Sequence, residues 1–155
     1  MTSQGDDSAS EDPVPSHVLV PLDGSPLADD ALDYALAVFD CQITVLNVLT
    51  PLNAGMSESG ILETDEDRLA EAQERAETLI EAASVHAQRG DRTVETAIET
   101  GDPAETILSY IDDSTVDHIV MGSHGEIESS TLRRLLGTVA TTVVGESPVP
   151  VTVIR

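Results

Sequence analysis

The sequence contains no lysine, so seven arginines face 29 aspartates and glutamates, and the formal net charge is −22. Proteins that bind DNA or RNA place clusters of lysine and arginine along the phosphates. Anionic membrane surfaces attract the same basic residues. The charge balance therefore excludes nucleic acids and anionic membranes as partners.

Cysteine and long apolar runs are also scarce. Cys41 is the single cysteine, which excludes an internal disulfide and a zinc site built on cysteines. Its place between an apolar helix and a strand indicates a buried structural thiol. No apolar run approaches the roughly 20 residues that span a bilayer, and residues 1–15 lack the features of a signal peptide. We therefore expect a cytoplasmic protein, with no metal site at its scattered histidines.

The acidic excess predicts the conditions in which the chain folds. Repulsion among carboxylates destabilises a compact state in dilute buffer. At molar salt the Debye length falls to about 3 Å, and most of that repulsion is screened. Because 40% of the residues are hydrophobic, the chain can still bury a core. This composition is typical of a halophile's protein; an acidic binding module from a mesophile is the alternative.

Five apolar or β-branched runs predict the strands of one domain, residues 16–155, which follows a disordered acidic tail at residues 1–15. Strands are expected at residues 17–22, 43–49, 93–99, 118–121 and 149–154. The third run is polar on one face, which is typical of an edge strand.

Helix-start signals separate these runs. Ser25-Pro26 and Asp102-Pro103 each pair a capping side chain with a proline at the first helical position. Thr64 with Asp67 resembles a capping box and opens a helix that extends to about Gly90. A fourth helix is expected over residues 138–146. The inward stripe of the second helix is expected to contain Leu69, Ala76, Leu79, Ile80 and Ala83.

Strands that alternate with helices predict an α/β fold with a mainly parallel sheet and helices on both faces. The most apolar strands, the first and fourth, belong at the centre, and right-handed crossovers leave few topologies. We therefore expect a doubly wound, five-stranded sheet of order 3-2-1-4-5. Ligands bind such sheets at the switch point, here the crevice between strands 1 and 4 at their carboxyl ends.

Two glycine-containing segments converge on this crevice. Gly122-Ser123-His124-Gly125 follows strand 4, and Gly137-Thr138 opens the last helix. Glycine lets the backbone approach a ligand closely, and the first N–H groups of a helix are free donors. Together these segments predict a cradle for phosphates. The alternative is that the glycines serve only a tight turn and close helix packing.

Five pieces of the sequence follow one another at characteristic separations: HVLVPLDGS at 17–25, GDPA at 101–104, VMGSHG at 120–125, LGTVA at 136–140 and SPVPVTVIR at 147–155. Together and in this order they resemble the universal stress protein family, A type, over residues 17–155; the charge suggests a haloarchaeal member. The resemblance implies an adenine nucleotide alpha hydrolase-like fold, usually homodimeric. One branch binds ATP or AMP through G-x2-G-x9-G-[ST]. Here eleven residues, 126–136, replace those nine, and they begin with Glu126-Ile127-Glu128.

By this resemblance the chain is a stress-response protein that holds ATP or AMP, with or without Mg²⁺, in the crevice between strands 1 and 4. Asp23 would accept a hydrogen bond from the adenine amino group or a ribose hydroxyl, and Val48 and Met121 would enclose the base. For Asp23 the alternative is a turn residue whose carboxylate bonds its own backbone. The expected nucleotide-binding residues are Pro21, Leu22, Asp23, Val48, Met121, Gly122, His124, Gly125, Gly137, Thr138, Val139 and Ala140. The alternative function is a dimeric interaction protein of the same fold that binds no nucleotide.

The sequence carries no signature of fast catalysis. Met121 occupies the place where a nucleophile elbow around Ser123 needs its first glycine. The Gly-Lys-[Ser/Thr] of a Walker A loop is missing as well. We therefore expect nucleotide binding without fast turnover, with at most a slow ATPase or autokinase activity and no catalytic residues.

The last strand, from Val149 to Ile154, is apolar and lies at an edge of the predicted sheet, where open backbone invites pairing. The resemblance implies that it pairs with its own copy across a two-fold axis to form a homodimer. The alternative is that another segment of the same chain covers the exposed edge of this strand. Because Pro150 cannot donate to a ladder, we expect pairing to centre on residues 151–154.

Overall fold

The computed structural model describes residues 14–50, 65–123 and 137–155, in which strands and helices alternate as predicted. The strands are β1 (His17–Pro21), β2 (Gln42–Leu49), β3 (Glu95–Thr100), β4 (His118–Gly122) and β5 (Val151–Ile154). The helices are α1 (Pro26–Val38), α2 (Asp65–Arg89), α3 (Pro103–Asp112) and α4 (Thr138–Glu146). Most of the tail at residues 1–15 and the capping residue Thr64 lie outside the described residues.

The sheet has the order β3-β2-β1-β4-β5, and every neighbouring pair is parallel, which confirms the predicted topology. β1 lies at the centre, where Val18 is paired with Ile43 on one side and Leu19 with Ile119 on the other. β5 begins later than expected, at Val151. Pro150 has no N–H, although its carbonyl oxygen still accepts from the Ile119 N–H at 3.0 Å.

Two apolar cores cover the two faces of the sheet. Since side chains alternate along a strand, Val18 and Val20 pack under α1 and α2, whereas Leu19 packs on the other face with α3 and α4. All three of these β1 side chains are fully buried. The doubly wound arrangement therefore fixes which loops meet at the carboxyl edge of the sheet.

The predicted helix starts are confirmed for α1 and α3. The Ser25 hydroxyl oxygen accepts from the Ala28 N–H at 3.2 Å, and an Asp102 carboxylate oxygen accepts from the Glu105 N–H at 3.1 Å. Each cap is followed by proline at the first helical position. Each side chain satisfies a donor that the first helical turn leaves without an intrahelical partner.

The expected core position of Leu69 is wrong. Ala76 and Ala83 are buried and Leu79 and Ile80 are half-buried, but Leu69 is 41% exposed. The first turns of α2 face a cavity instead of the sheet. Hydrophobic periodicity identifies the face of a helix, but it does not tell what lies opposite each turn.

Cys41 is half-buried at the edge of the α1–α2 core, not fully buried as expected. Burial still raises the pKa of its thiol, which favours the protonated form over the thiolate. Among the helices that the structure describes, none combines the length and the apolarity needed to cross a membrane.

Candidate functional site

A cavity of about 1250 Å³ lies at the carboxyl ends of β1, β2 and β4, beside the first turn of α4. Nine of the expected nucleotide-binding residues line it: Pro21, Leu22, Asp23, Val48, Met121, Gly122, Gly137, Thr138 and Val139. Ala140 does not line it, because its side chain is buried in the core beneath α4. His124, Gly125 and the long loop at 126–136 lie outside the described residues. The structure thus brings nine of the twelve predicted residues together at one place.

The first turn of α4 is open towards this cavity. Its N-cap is Gly137, at φ −66° and ψ 167°, which has no side chain to accept a backbone N–H. The intrahelical ladder begins where the Thr141 N–H donates to the Gly137 carbonyl oxygen at 2.9 Å. In contrast to α1 and α3, α4 carries no acidic residue in its first turn. Its positive end is therefore available to an anion.

Close packing against α1 explains why glycine occupies position 122. A Cβ atom at this position would lie 2.6 Å from the Leu27 carbonyl carbon and 2.9 Å from the Ala28 backbone nitrogen. Backbone atoms at the start of α1 cannot yield as a flexible side chain would. Close packing between β4 and α1 therefore requires this glycine whether or not a ligand is bound.

Asp23 also takes part in local structure. One of its carboxylate oxygens accepts from the Ser25 N–H at 2.9 Å, which forms a turn between β1 and α1. Gly24 follows at φ +89°, a left-handed conformation that glycine adopts without strain. If Asp23 also accepts from adenine or ribose as predicted, the same carboxylate serves both the ligand and this turn.

Asn47 is a cavity residue that the sequence analysis missed. Its side chain is 8% exposed, and its Nδ2 donates to the Leu22 carbonyl oxygen at 2.7 Å. Since a carbonyl oxygen only accepts, this bond fixes the amide orientation and leaves Oδ1 as an acceptor. Asn47 thus anchors the end of β1 at the cavity wall. The available signal was a single amide inside the apolar run ITVLNVL.

The α2 wall of the cavity was missed as well. Arg68 and Arg75 line it together with Glu71 and Glu74, and apolar side chains such as Leu69 lie between them. Among the lining residues that the structure describes, these two arginines are the basic side chains. The signal in the sequence was two arginines seven residues apart, a spacing that puts both on one side of a helix.

At the opposite, amino end of the sheet, a buried histidine joins three elements. His17 Nδ1 lies 2.8 Å from the Thr115 hydroxyl, and Nε2 lies 2.7 Å from the Thr44 hydroxyl. Burial lowers the pKa of His17, an effect larger than the opposing attraction of Asp117 and Glu95. The neutral ring therefore acts as a structural bridge. Separately, no cluster of acidic, histidine or cysteine side chains among the described residues could hold a metal.

Asp117 closes the same end. Its carboxylate accepts from the Ser16 N–H at 3.0 Å, the Ser16 hydroxyl at 3.0 Å and the His17 N–H at 3.1 Å. Burial is the largest single effect and raises the pKa of Asp117, but the hydrogen bonds together outweigh it and lower the pKa. The ionised carboxylate ties the start of β1 to the residue before β4.

Comparisons with known proteins bear on the family and the fold. The universal stress protein family model matches residues 15–155. The solved structure of protein MJ0577 is 27% identical over 90% of this chain and 94% of its own, with a TM-score of 0.74. Universal stress protein UspA from Lactobacillus plantarum is 25% identical over 90% and 97%, with a TM-score of 0.74.

A universal stress protein family protein from Arabidopsis thaliana, solved with AMP bound, is 22% identical over 90% of this chain and 91% of its own, with a TM-score of 0.65. The comparison with curated proteins gave no match. The family match covers nearly the whole chain, and the sheet order agrees with the expectation drawn from the motifs. The chain belongs to the universal stress protein family.

Proposed function

We propose that this universal stress protein binds an adenine nucleotide, ATP or AMP, in the cavity at the carboxyl edge of its sheet, without fast turnover. The observation that carries the proposal is the uncapped first turn of α4, which opens on the same cavity as the strand ends Val48 and Met121. Helix N–H donors suit phosphate oxygens, and apolar strand ends suit a purine face.

The dimensions and the relatives support this assignment. The cavity exceeds the roughly 300–1,000 Å³ that is common for small-ligand sites, so a nucleotide has room at about 1250 Å³. The Arabidopsis thaliana relative with AMP bound shares the fold. Mg²⁺, where it takes part, would enter on the phosphates of ATP.

The absence of fast turnover is supported by where the histidine–hydroxyl contacts lie. His17 contacts Thr44 and Thr115 at the amino end of the sheet, and His118 contacts Thr152 between β4 and β5. Neither histidine lines the cavity. With no lysine in the sequence, a Walker-type phosphate clamp is excluded too.

The decisive experiment is calorimetry with ATP, AMP and GTP in about 3 M KCl, combined with chromatography of nucleotide released from denatured protein. Thr138→Glu places a carboxylate in the first turn of α4, where it favours the helix but repels phosphate. We expect at least a tenfold loss of affinity with the fold intact. Thr141→Glu, at an exposed position that does not line the cavity, is the control. Absence of ATP and AMP binding by the unaltered protein would refute the proposal.

For assembly we propose a homodimer through residues 149–154. The Pro150 and Ile154 carbonyl oxygens accept from β4, so the alternating residues Val151 and Val153 direct their backbone groups to the open edge. Val153→Pro removes an outward N–H and should give monomers or insoluble protein, whereas Thr152→Pro should break the ladder to β4. A monodisperse monomer of the unaltered chain, by light scattering at tens of micromolar in high salt, would refute the dimer.

We also propose that the protein folds in a halophile's cytoplasm, on the basis of its net charge of −22. The melting temperature should rise steeply between about 0.1 and 2 M KCl as carboxylate repulsion is screened. A flat series of melting temperatures would refute the halophilic assignment without touching the nucleotide proposal.

A further inference from the structure

The chain has only seven arginines and no lysine, and two of these arginines lie on α2 at the cavity. Arg68 and Arg75 are separated by about two helical turns, or roughly 10 Å along the axis. Both line the same cavity as Gly137 and Thr138 of the α4 end. A helix terminus and two guanidinium groups therefore line one volume, together with the carboxylates of Glu71 and Glu74.

Neither of these positions is explained by helix stability. Arg68 lies in the first turn of α2, where the helix dipole disfavours a cation. Glu71 follows it by three residues and precedes Arg75 by four, which are spacings that allow ion pairs on a helix. Within the described parts of the chain, Glu71 nevertheless forms no ion pair with Arg75.

Two other described arginines, Arg89 and Arg92, have different surroundings. Arg92 donates to the Leu36 carbonyl oxygen at 2.7 Å and to the Cys41 carbonyl oxygen at 3.2 Å, which holds the turn after α1. Arg89 lies in the last turn of α2, where a cation is favourable, and away from the cavity lining. The cavity position is thus a property of Arg68 and Arg75.

We infer, building on the proposed function, that Arg75, with Arg68 beside it, contacts the phosphate chain of the nucleotide and makes the cavity select for phosphate number. The α4 end would hold the phosphate nearest the ribose, and a longer chain would extend towards α2. A guanidinium group offers a planar fork of donors that matches phosphate oxygens. The expected order of affinity is ATP, then AMP, then adenosine.

The test is a titration of ATP, AMP and adenosine into the full-length protein in about 3 M KCl, where only direct contacts escape screening. Arg75→Gln should lower ATP affinity at least tenfold, lower AMP affinity by less than threefold and leave adenosine unchanged. Arg89→Gln, on the same helix but outside the cavity, should leave all three unchanged. Because Arg75 is exposed, both variants should melt within a few degrees of the unaltered protein.

Two results would overturn the inference while leaving the proposed function intact. One is equal affinity of the unaltered protein for ATP, AMP and adenosine. The other is an Arg75→Gln variant that loses ATP and adenosine to the same extent. Failure of the unaltered protein to bind any of the three ligands would instead overturn the proposed function itself, and this inference with it.

Discussion

The two ends of the sheet differ in whether their polar groups bond to one another or face a cavity. At the amino end, His17 bridges two hydroxyls and Asp117 accepts three hydrogen bonds, so the groups satisfy one another. At the carboxyl end, α4 begins without a side-chain cap, and Glu71 and Arg75, four residues apart on α2, form no ion pair within the described part of the chain. One end is closed by its own side chains, whereas the other keeps donors and charges directed at a cavity.

This difference separates stability from binding. Buried polar groups require partners, and removing one partner costs the desolvation of the other. Groups that face a cavity in an open sheet keep their capacity for a ligand, which agrees with the position of sites at the carboxyl ends of parallel strands. Substitutions at the amino end should therefore affect folding alone, and most substitutions at the carboxyl end should affect binding alone.

Gly122 should break this rule with the largest effect. Gly122→Ala forces a Cβ atom to within 2.6–2.9 Å of backbone atoms of Leu27 and Ala28. Overpacking of this kind costs about 2–3 kcal/mol of the free energy of unfolding. Gly145→Ala on α4 is the control, because its Cβ would meet no atom within 4 Å; it should gain about 0.5 kcal/mol. Chemical denaturation that finds equal effects for the two variants would contradict the packing argument.

The amino end is probed by Asp117→Ala. Loss of the carboxylate leaves the Ser16 and His17 N–H groups without their acceptor, and bonds to a charged acceptor contribute about 1.5–3 kcal/mol. We expect a loss of about 2 kcal/mol in unfolding free energy and unchanged nucleotide affinity. Asp112→Ala, an exposed neighbour near the end of α3, should change neither quantity. A fall in affinity with Asp117→Ala would show that the two ends are coupled.

The sequence predicted the sheet order because strand polarity and helix caps are local signals. Ser25 and Asp102 cap their helices as expected, since a cap needs only its own three following residues. The crevice followed from the topology, and the predicted strand-end residues meet there. What they bind stays a prediction that the titrations above address.

The contacts between distant elements could not be predicted. Leu69 was expected in the core, but whether α2 meets the sheet or a cavity at that turn depends on tertiary placement. Arg75 became a cavity residue for the same reason. Close helix packing was the stated alternative for Gly122, but that its neighbour is the start of α1 depends on tertiary placement too. By contrast, the turn at Asp23 is local and was one of the two predicted roles of its carboxylate, which accepts from the Ser25 N–H.

Acid should weaken the amino end first. Burial lowers the pKa of His17 and of His118 below the ordinary value near 6.5. As the pH falls through about 6.5, the unfolded chain takes up protons that the folded chain refuses, so the free energy of unfolding decreases until the lower folded pKa is passed. His17→Gln should reduce this slope between pH 7 and 5. An unchanged slope in His17→Gln would contradict the neutral bridge.

The smallest expected change in stability comes from exchanging the caps of α1 and α4. Gly137→Ser places a hydroxyl where it can accept from the Ala140 N–H, as Ser25 accepts from the Ala28 N–H at 3.2 Å. The Gly137 backbone is extended, with φ at −66°, and any residue can adopt this conformation. The free energy of unfolding should therefore rise by a few tenths of a kcal/mol. Ser25→Gly should lower the free energy of unfolding by a similar amount.

The two variants should differ in nucleotide affinity. Gly137→Ser should lose about tenfold in affinity because the new hydroxyl competes with phosphate for the same donor, while Ser25→Gly should bind nucleotide as tightly as the unaltered protein. If Gly137→Ser binds nucleotide as tightly as the unaltered protein, the first turn of α4 does not hold the phosphate, and the openness of the carboxyl end needs another explanation.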